Sequence, residues 1–365
     1  MSTTILRPHP EQTYAAELAV LAEADTHDRP PGWRLSPRAV VDYLVGGREV
    51  DGTEITAKYI GDRRLIEVAV ATLTTNRALL LSGVPGTAKT WVSEHLAAAI
   101  SGDSKLLVQG TAGLSEDALR YGWNYAQLIA KGPSAEALVA SPVMTAMRRG
   151  GLVRVEELTR IPSEVQDSLI TVLSEKTLPV PELSTEVQAV PGFNLIATAN
   201  ERDRGVNELS TALRRRFNTV VLPAPGNLEE ELRIVRDRST VGVRDGVLAR
   251  PEAAEEVRRL VTVFRELRNG VTEDGAAKVQ RPGAGLSTAE AISVVENAVS
   301  LATHFGGGLP TPADFAPSLR AAVIRDPERD GPAWRAYLDG VLKERGGGWA
   351  AWYDVLDAQD AAPPR

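Results

Sequence analysis

The residues best suited to chemistry sit in a few short stretches. Gly83-Val84-Pro85-Gly86-Thr87-Ala88-Lys89-Thr90 fits the phosphate-loop pattern G-x-x-x-x-G-K-[ST], except that Ala88 replaces the second glycine. In such a loop the backbone N–H groups turn inward on phosphate oxygens, helped by the N-terminus of the next helix. Lys89 would reach the β- and γ-phosphates of ATP, and the Thr90 hydroxyl would be a ligand to Mg²⁺. Ala88 needs only a backbone conformation open to a small L-residue. A chance glycine-rich turn would not be expected to carry Lys-Thr at this offset between a strand and a helix.

The second stretch is GGLVRVEELTR, residues 150–160, a short apolar run that ends in Glu156 and Glu157. A carboxylate at the end of a strand neighbouring a phosphate loop can hold magnesium through water, and a second can polarise the attacking water. Glu156 takes the first role and Glu157 the second. Mg²⁺ demands near-octahedral geometry at about 2.0–2.1 Å, and Glu is one methylene longer than the more usual Asp. A water-mediated contact absorbs that length more easily than direct ligation. If Glu156 serves the metal, shortening it to Asp should keep or raise turnover, and Gln should depress it. Arg154, inside the same run, can bury its stem and pair its head with a carboxylate, but the sequence names no partner. Asn200 closes the run FNLIATAN and could orient water beside the γ-phosphate. Arg215 and Arg216, in LSTALRRRF, could stabilise phosphoryl-transfer charge from a neighbouring subunit, with Arg216 favoured and Arg215 its neighbour or substitute.

These groups need a frame. Apolar runs at 77–83, 104–111, 150–157, 192–200 and 217–223 read as five buried strands separated mostly by helical patterns. That alternation predicts an α/β fold with a parallel sheet flanked by helices. The helix after the loop should bury Val92, Leu96, Ala99 and Ile100 and stop at Gly102. Ser36 and Pro37 should open an earlier helix, and Gly46 or Gly47 should end it. After the two prolines of LPAPGN the pattern becomes purely helical, over 228–238, 252–270 and 287–305. The expected organisation is a partly helical polar leader (1–55), an α/β nucleotide-binding core (56–224), an all-α lid (225–325) and a tail (326–365). The tail holds Trp334, Trp349 and Trp352, which could pack on the lid or dock a partner.

Composition limits the rest. Across 365 residues, 43% are apolar and the net charge is −7, so a core can be buried and a general nucleic-acid binder is disfavoured. With no cysteine there is neither a disulfide framework nor a thiolate metal site, and the four histidines are scattered. No signal peptide and no apolar run of about 18 residues is seen, so a cytoplasmic location without a membrane span is expected.

Taken in order, these pieces resemble the AAA+ ATPases of the MoxR group. GVPGTAKT is the phosphate loop as that group writes it, Ala included. GGLVRVEELTRIPSEVQDSLITVLSEK is similar to the block around its paired acids, with Glu156 where the group has Asp. NLIATAN resembles its sensor strand and ELSTALRRRF its arginine-finger segment. Length and the wording VEELTRIP resemble the YehL-like branch. The resemblance implies hexameric rings with ATP between subunits. It implies chaperone-like remodelling, often beside proteins carrying von Willebrand factor A (VWA) domains. It also implies that the insert TLPVPELSTEVQAVPGF faces the axial pore, and that Gln109 can hold the catalytic Glu in an inactive rotamer. One departure stands out: the lid turn GAGLSTAEA has Thr288 or Ala289 where the group has an arginine, with Arg281 or Lys278 the only substitutes nearby. The main alternative is a nucleotide-gated assembly scaffold with little or no hydrolysis. A phosphate-loop kinase does not account for the Asn strand, arginine segment and helical lid together, and the acidic balance lowers a DNA motor.

Overall fold

The computed structural model describes residues 5–200, 207–239, 246–283 and 285–361. The chain divides into two compact units, Met1–Val84 with Ala88–Pro223, and Pro85–Thr87 with Ala224–Arg365.

The first unit is built on a five-stranded parallel sheet. The strands of this unit are β1 Arg48–Val50, β2 Thr53–Ile55, β3 Ala78–Gly83, β4 Leu107–Gln109, β5 Tyr121–Trp123, β6 Leu138–Ala140, β7 Leu152–Glu156, β8 Thr177–Val180, β9 Thr185–Gln188, β10 Asn194–Asn200 and β11 Phe217–Val221. The sheet order is β11-β3-β10-β7-β4, and all of its pairings are parallel. Successive side chains of a strand point to opposite faces. Leu79 and Leu81 accordingly join one apolar cluster, while Ala78 and Leu80 join the other. Both faces are covered, which is why these strands read as unbroken apolar runs rather than as alternating ones.

The helix Lys89–Ser101 buries Val92, Leu96, Ala99 and Ile100 and ends at Gly102 in the left-handed region. The helix Pro37–Val45 starts as its sequence predicts: the Ser36 hydroxyl caps it by accepting from Ala39 N–H at 3.2 Å, Pro37 is the first helical residue and Gly46 ends it. Such a cap contributes about 1 kcal/mol. That helix does not lie in a detached leader. Leu35, Val40, Tyr43, Leu44 and Ile55 share one cluster with Leu79, Leu81 and Leu96 of the α/β core. Antiparallel hairpins β1–β2, β5–β6 and β8–β9 decorate this unit; the last falls in the insert before β10.

The second unit is helical. Its long helices are Leu228–Arg238, Pro251–Asn269, Thr288–Phe305, Pro312–Val323, Pro327–Tyr337 and Gly348–Ala361. They enclose one core, in which Phe264, Phe315, Trp334 and Trp352 are fully buried. Trp352 stacks on Phe315 with ring centroids 5.5 Å apart. Of the two fates open to the tryptophans of the tail, packing is realised for Trp334 and Trp352. Among the described residues, no helix is long and apolar enough to cross a membrane.

Candidate nucleotide site

The carboxyl ends of β3, β10 and β7 lie side by side, and ligands of open α/β sheets bind at such ends. In register, Asn200 is paired with Gly83, and Gln109 with Glu156. The sheet order therefore puts Asn200 between the start of the loop and the acid strand. The neighbouring segment 201–206 lies outside the described residues.

At the loop itself, Ala88 has φ 62° and ψ 20°, the left-handed conformation for which glycine is the usual choice. The methyl is accommodated, but in a strained backbone region. Lys89 is buried, and its ammonium donates to the carbonyls of Gly83 and Val84 at 3.0 and 2.8 Å.

Glu156 is 2% exposed, and both of its oxygens are saturated. Oε2 accepts from the hydroxyls of Thr90 at 2.8 Å and Thr198 at 2.6 Å. Oε1 accepts from the Ser93 hydroxyl at 2.5 Å and from Arg154 Nη2 at 3.0 Å. The partner that the sequence left unnamed for Arg154 is thus Glu156 itself, two residues along the same strand face. Arg154 is 3% exposed and also donates to Ser93 Oγ at 3.1 Å, to the Ser104 carbonyl at 3.0 Å and, more weakly, to the Thr90 carbonyl at 3.4 Å.

Glu157 differs from its neighbour in every respect. Its backbone is left-handed (φ 53°), its N–H donates to Thr198 Oγ1 at 3.0 Å, and its side chain is one-third exposed. Arg160 pairs with the Glu157 carboxylate at 3.0 Å, whereas no hydrogen bond joins that carboxylate to Gln109 among the described residues. The tight turn after β7 requires Gly110, because a Cβ there would lie 2.3 Å from the Glu157 carbonyl oxygen. Left-handed non-glycine residues are uncommon and cluster at functional sites.

The arginine segment follows the short helix Thr211–Arg214. Arg216 is tied down locally: Nε donates to Ser174 Oγ at 2.8 Å and Nη1 to the Ala212 carbonyl at 2.7 Å. Arg215 is exposed. In the helical unit, Thr288 donates to Glu231 at 2.7 Å, and Arg281 is held by the Asn269 carbonyl at 2.5 Å.

The donor set suits a nucleotide with magnesium. A hydroxyl and a carboxylate 2.8 Å apart are the hard oxygen ligands Mg²⁺ prefers, and the loop supplies a buried lysine at the start of a helix, where phosphate binds favourably. Sequence reasoning did not single out Ser93 and Thr198. Periodicity could have found both, since Ser93 is one helical turn beyond Thr90 and Thr198 is two strand residues before Asn200.

Fold and loop together define a phosphate-loop nucleotide-binding module with a helical C-terminal unit. The AAA domain of the dynein-related subfamily matches residues 78–217, and the YehL-like AAA+ ATPase C-terminal domain matches residues 229–362. The uncharacterized protein YehL of Escherichia coli (strain K12) is 40% identical over 356 residues, covering 96% of each chain. The chain therefore belongs to the YehL-like branch of the MoxR-type AAA+ ATPases. Among solved structures, NtrX from Brucella abortus in complex with ADP gives a TM-score of 0.49 at 15% identity, covering 82% of this chain and 64% of that one. A putative ATPase from Cytophaga hutchinsonii gives 0.38 at 20% identity, covering 92% and 97%.

Proposed function

We propose that the chain binds ATP with Mg²⁺ and hydrolyses it, working as a ring of its own copies, hexameric by resemblance, that remodels partner proteins in the cytoplasm. A VWA-domain protein is the expected partner class. The observation that carries the reading is the contact of Thr90, in the first helical turn at the end of the Lys-Thr loop, with Glu156 at the end of β7, where Glu157 follows.

The roles follow from the chemistry of the side chains. The amides of Gly83, Val84, Pro85 (which lends only its carbonyl and ring), Gly86, Thr87, Ala88, Lys89 and Thr90 form the phosphate cradle. Lys89 exchanges the Gly83 and Val84 carbonyls for phosphate oxygens. Thr90 and Glu156 hold the magnesium, which when bound neutralises charge on the β- and γ-phosphates. Glu157 polarises water once its carboxylate leaves Arg160, and Asn200 orients that water. The trans-acting arginine comes from Arg215 or Arg216. Exposure of Arg215 and the local tethering of Arg216 favour Arg215, the reverse of the sequence preference.

The scaffold alternative draws on one observation, the pairing of Glu157 with Arg160. Steady-state hydrolysis of MgATP across protein concentration, for wild type and Glu157→Gln, decides between them. Turnover that rises with concentration and falls by about 10²-fold or more in the variant, as loss of a general base implies, supports the ring ATPase. Bound ATP with no turnover in either form supports the scaffold.

A further inference from the structure

The buried arginine beside the metal-site carboxylate has no role in the reading above. Within β7, positions 154 and 156 face the same side of the sheet, because side chains alternate along a strand. The guanidinium of Arg154 contacts four groups: Glu156 Oε1, Ser93 Oγ, the Thr90 carbonyl in the first turn of the helix 89–101, and the Ser104 carbonyl just beyond its end. It lies behind the carboxylate, and the Thr90 hydroxyl lies at the other oxygen. The division of labour is complete: Oε1 belongs to Arg154 and Ser93, Oε2 to Thr90 and Thr198.

We propose that Arg154 is a positioning residue that makes a glutamate serviceable where an aspartate would otherwise stand. This rests on the reading of Thr90 and Glu156 as the magnesium-nucleotide site. The extra methylene of Glu156 would carry its carboxylate too far forward. Arg154 and Ser93 draw Oε1 back and leave Oε2 as the oxygen shared with Thr90. The guanidinium also offsets the charge of a carboxylate taken out of water, which would otherwise be strongly unfavourable. Arg154 and Glu156 are therefore one device, and neither is replaceable alone. An aspartate at 156 cannot span from Thr90 to the guanidinium, so Glu156→Asp by itself loses one of the two anchors. The proposal thus predicts the opposite of the sequence expectation, that this substitution keeps or raises turnover. In an Arg154→Met background the same aspartate has no rearward anchor to meet and can serve Thr90 alone.

The test is a double-variant cycle on the full chain, read by the affinity for a fluorescent ADP with and without Mg²⁺. The quantity is the ratio of Kd in EDTA to Kd in excess Mg²⁺. Arg154→Met and Glu156→Asp should each cut that ratio roughly tenfold, the size of one lost charge-assisted hydrogen bond. The double variant should recover most of it. Coupling of that sign is what a structural arginine would not produce. A double variant as low as the product of the singles overturns the proposal, and so does a single variant with an unchanged ratio. If Arg154→Met does not fold, Arg154→Gln, which keeps a polar head but removes the charged anchor, reads the same coupling in the same cycle. A wild-type ADP affinity indifferent to Mg²⁺ overturns both this proposal and the metal-site reading. A normal ratio without turnover leaves the cycle decisive and removes only the hydrolysis reading.

Discussion

Glu156 and Glu231, one in each unit, are buried under opposite regimes. In the α/β unit Glu156 is surrounded by three hydroxyls and one guanidinium. In the helical unit Glu231, fully buried, is held by two guanidinium groups and one hydroxyl: Arg265 at 3.1 Å, Arg268 at 2.5 Å and Thr288 at 2.7 Å. The difference lies in what each partner can become. A hydroxyl that donates to a carboxylate can turn and offer a lone pair to a cation; a guanidinium has no lone pair to offer. Glu156 sits in an environment that can rearrange, and Glu231 sits in a strut. The strut joins the first turn of helix 228–238 to helix 251–269 and to the start of helix 288–305, so it fixes three helices at one point. Backbone conformation follows the same division. Among the described residues, Ala88 and Glu157 are left-handed at the nucleotide site, and no non-glycine residue of the helical unit is.

The comparison breaks first at the strut. Glu231→Gln leaves part-buried Arg268 without its counter-charge and buried Arg265 with Glu273 alone, and the urea midpoint at neutral pH should fall by the equivalent of about 3 kcal/mol. An unchanged midpoint would mean the cluster bears no load. The same pair of proteins gives a pH signature. Burial pushes the Glu231 carboxyl up, but the hydrogen bond and charge of Arg268, with Thr288 and Arg265, pull it below its usual 4.5. A carboxyl lowered in the folded state stabilises above its unfolded value, and that contribution is lost as pH falls through the folded value. The stability gap between wild type and Glu231→Gln should therefore be constant near neutrality and narrow below about pH 4.5. A gap that widens in acid would contradict the assignment.

A smaller effect is expected at the other carboxylate. Thr198→Val removes one of four donors from Glu156 and one acceptor from the Glu157 N–H, and should cost about 1–2 kcal/mol in urea unfolding. A loss as large as that of Glu231→Gln would erase the distinction between the two sites. Smallest of all, Ala88→Gly should raise the thermal midpoint by the equivalent of about 1 kcal/mol, since glycine takes the left-handed conformation without strain. A decrease would show that the methyl is stabilising where it stands.

Much of this was legible beforehand, for identifiable reasons. The five sheet strands announced themselves because both faces are buried, which writes them as continuous apolar runs such as ALLLSG and NLIATAN. Strands β1 and β2 did not: each has three residues, only one of them buried, and that is too short to show a period. The first 55 residues looked like a leader because their apolar residues are spaced among prolines and charges, yet Trp33, Leu35 and Tyr43 reach the same core as Leu81. At the site, Lys89, Thr90, Glu156 and Asn200 were legible from motif spacing. The partner of Arg154 was two residues away and could have been inferred. Its other contacts, Ser93 and Ser104, lie about fifty to sixty positions earlier and become neighbours only once the sheet order is set. Arg216 was preferred over Arg215 because nothing local reveals that Ser174, from a helix 42 residues upstream, holds it.

The spacing of Arg154 and Glu156 along β7 has a consequence in terms of descent. On the proposed role of Arg154, a chain with aspartate at the second position has no use for a buried guanidinium at the first, and a chain with glutamate there depends on one. Either substitution alone passes through a less fit intermediate, so the two positions should change hands together. Arg-x-Glu at the end of this strand, and an uncharged residue before Asp in its place, would then mark two separate lineages of the same site.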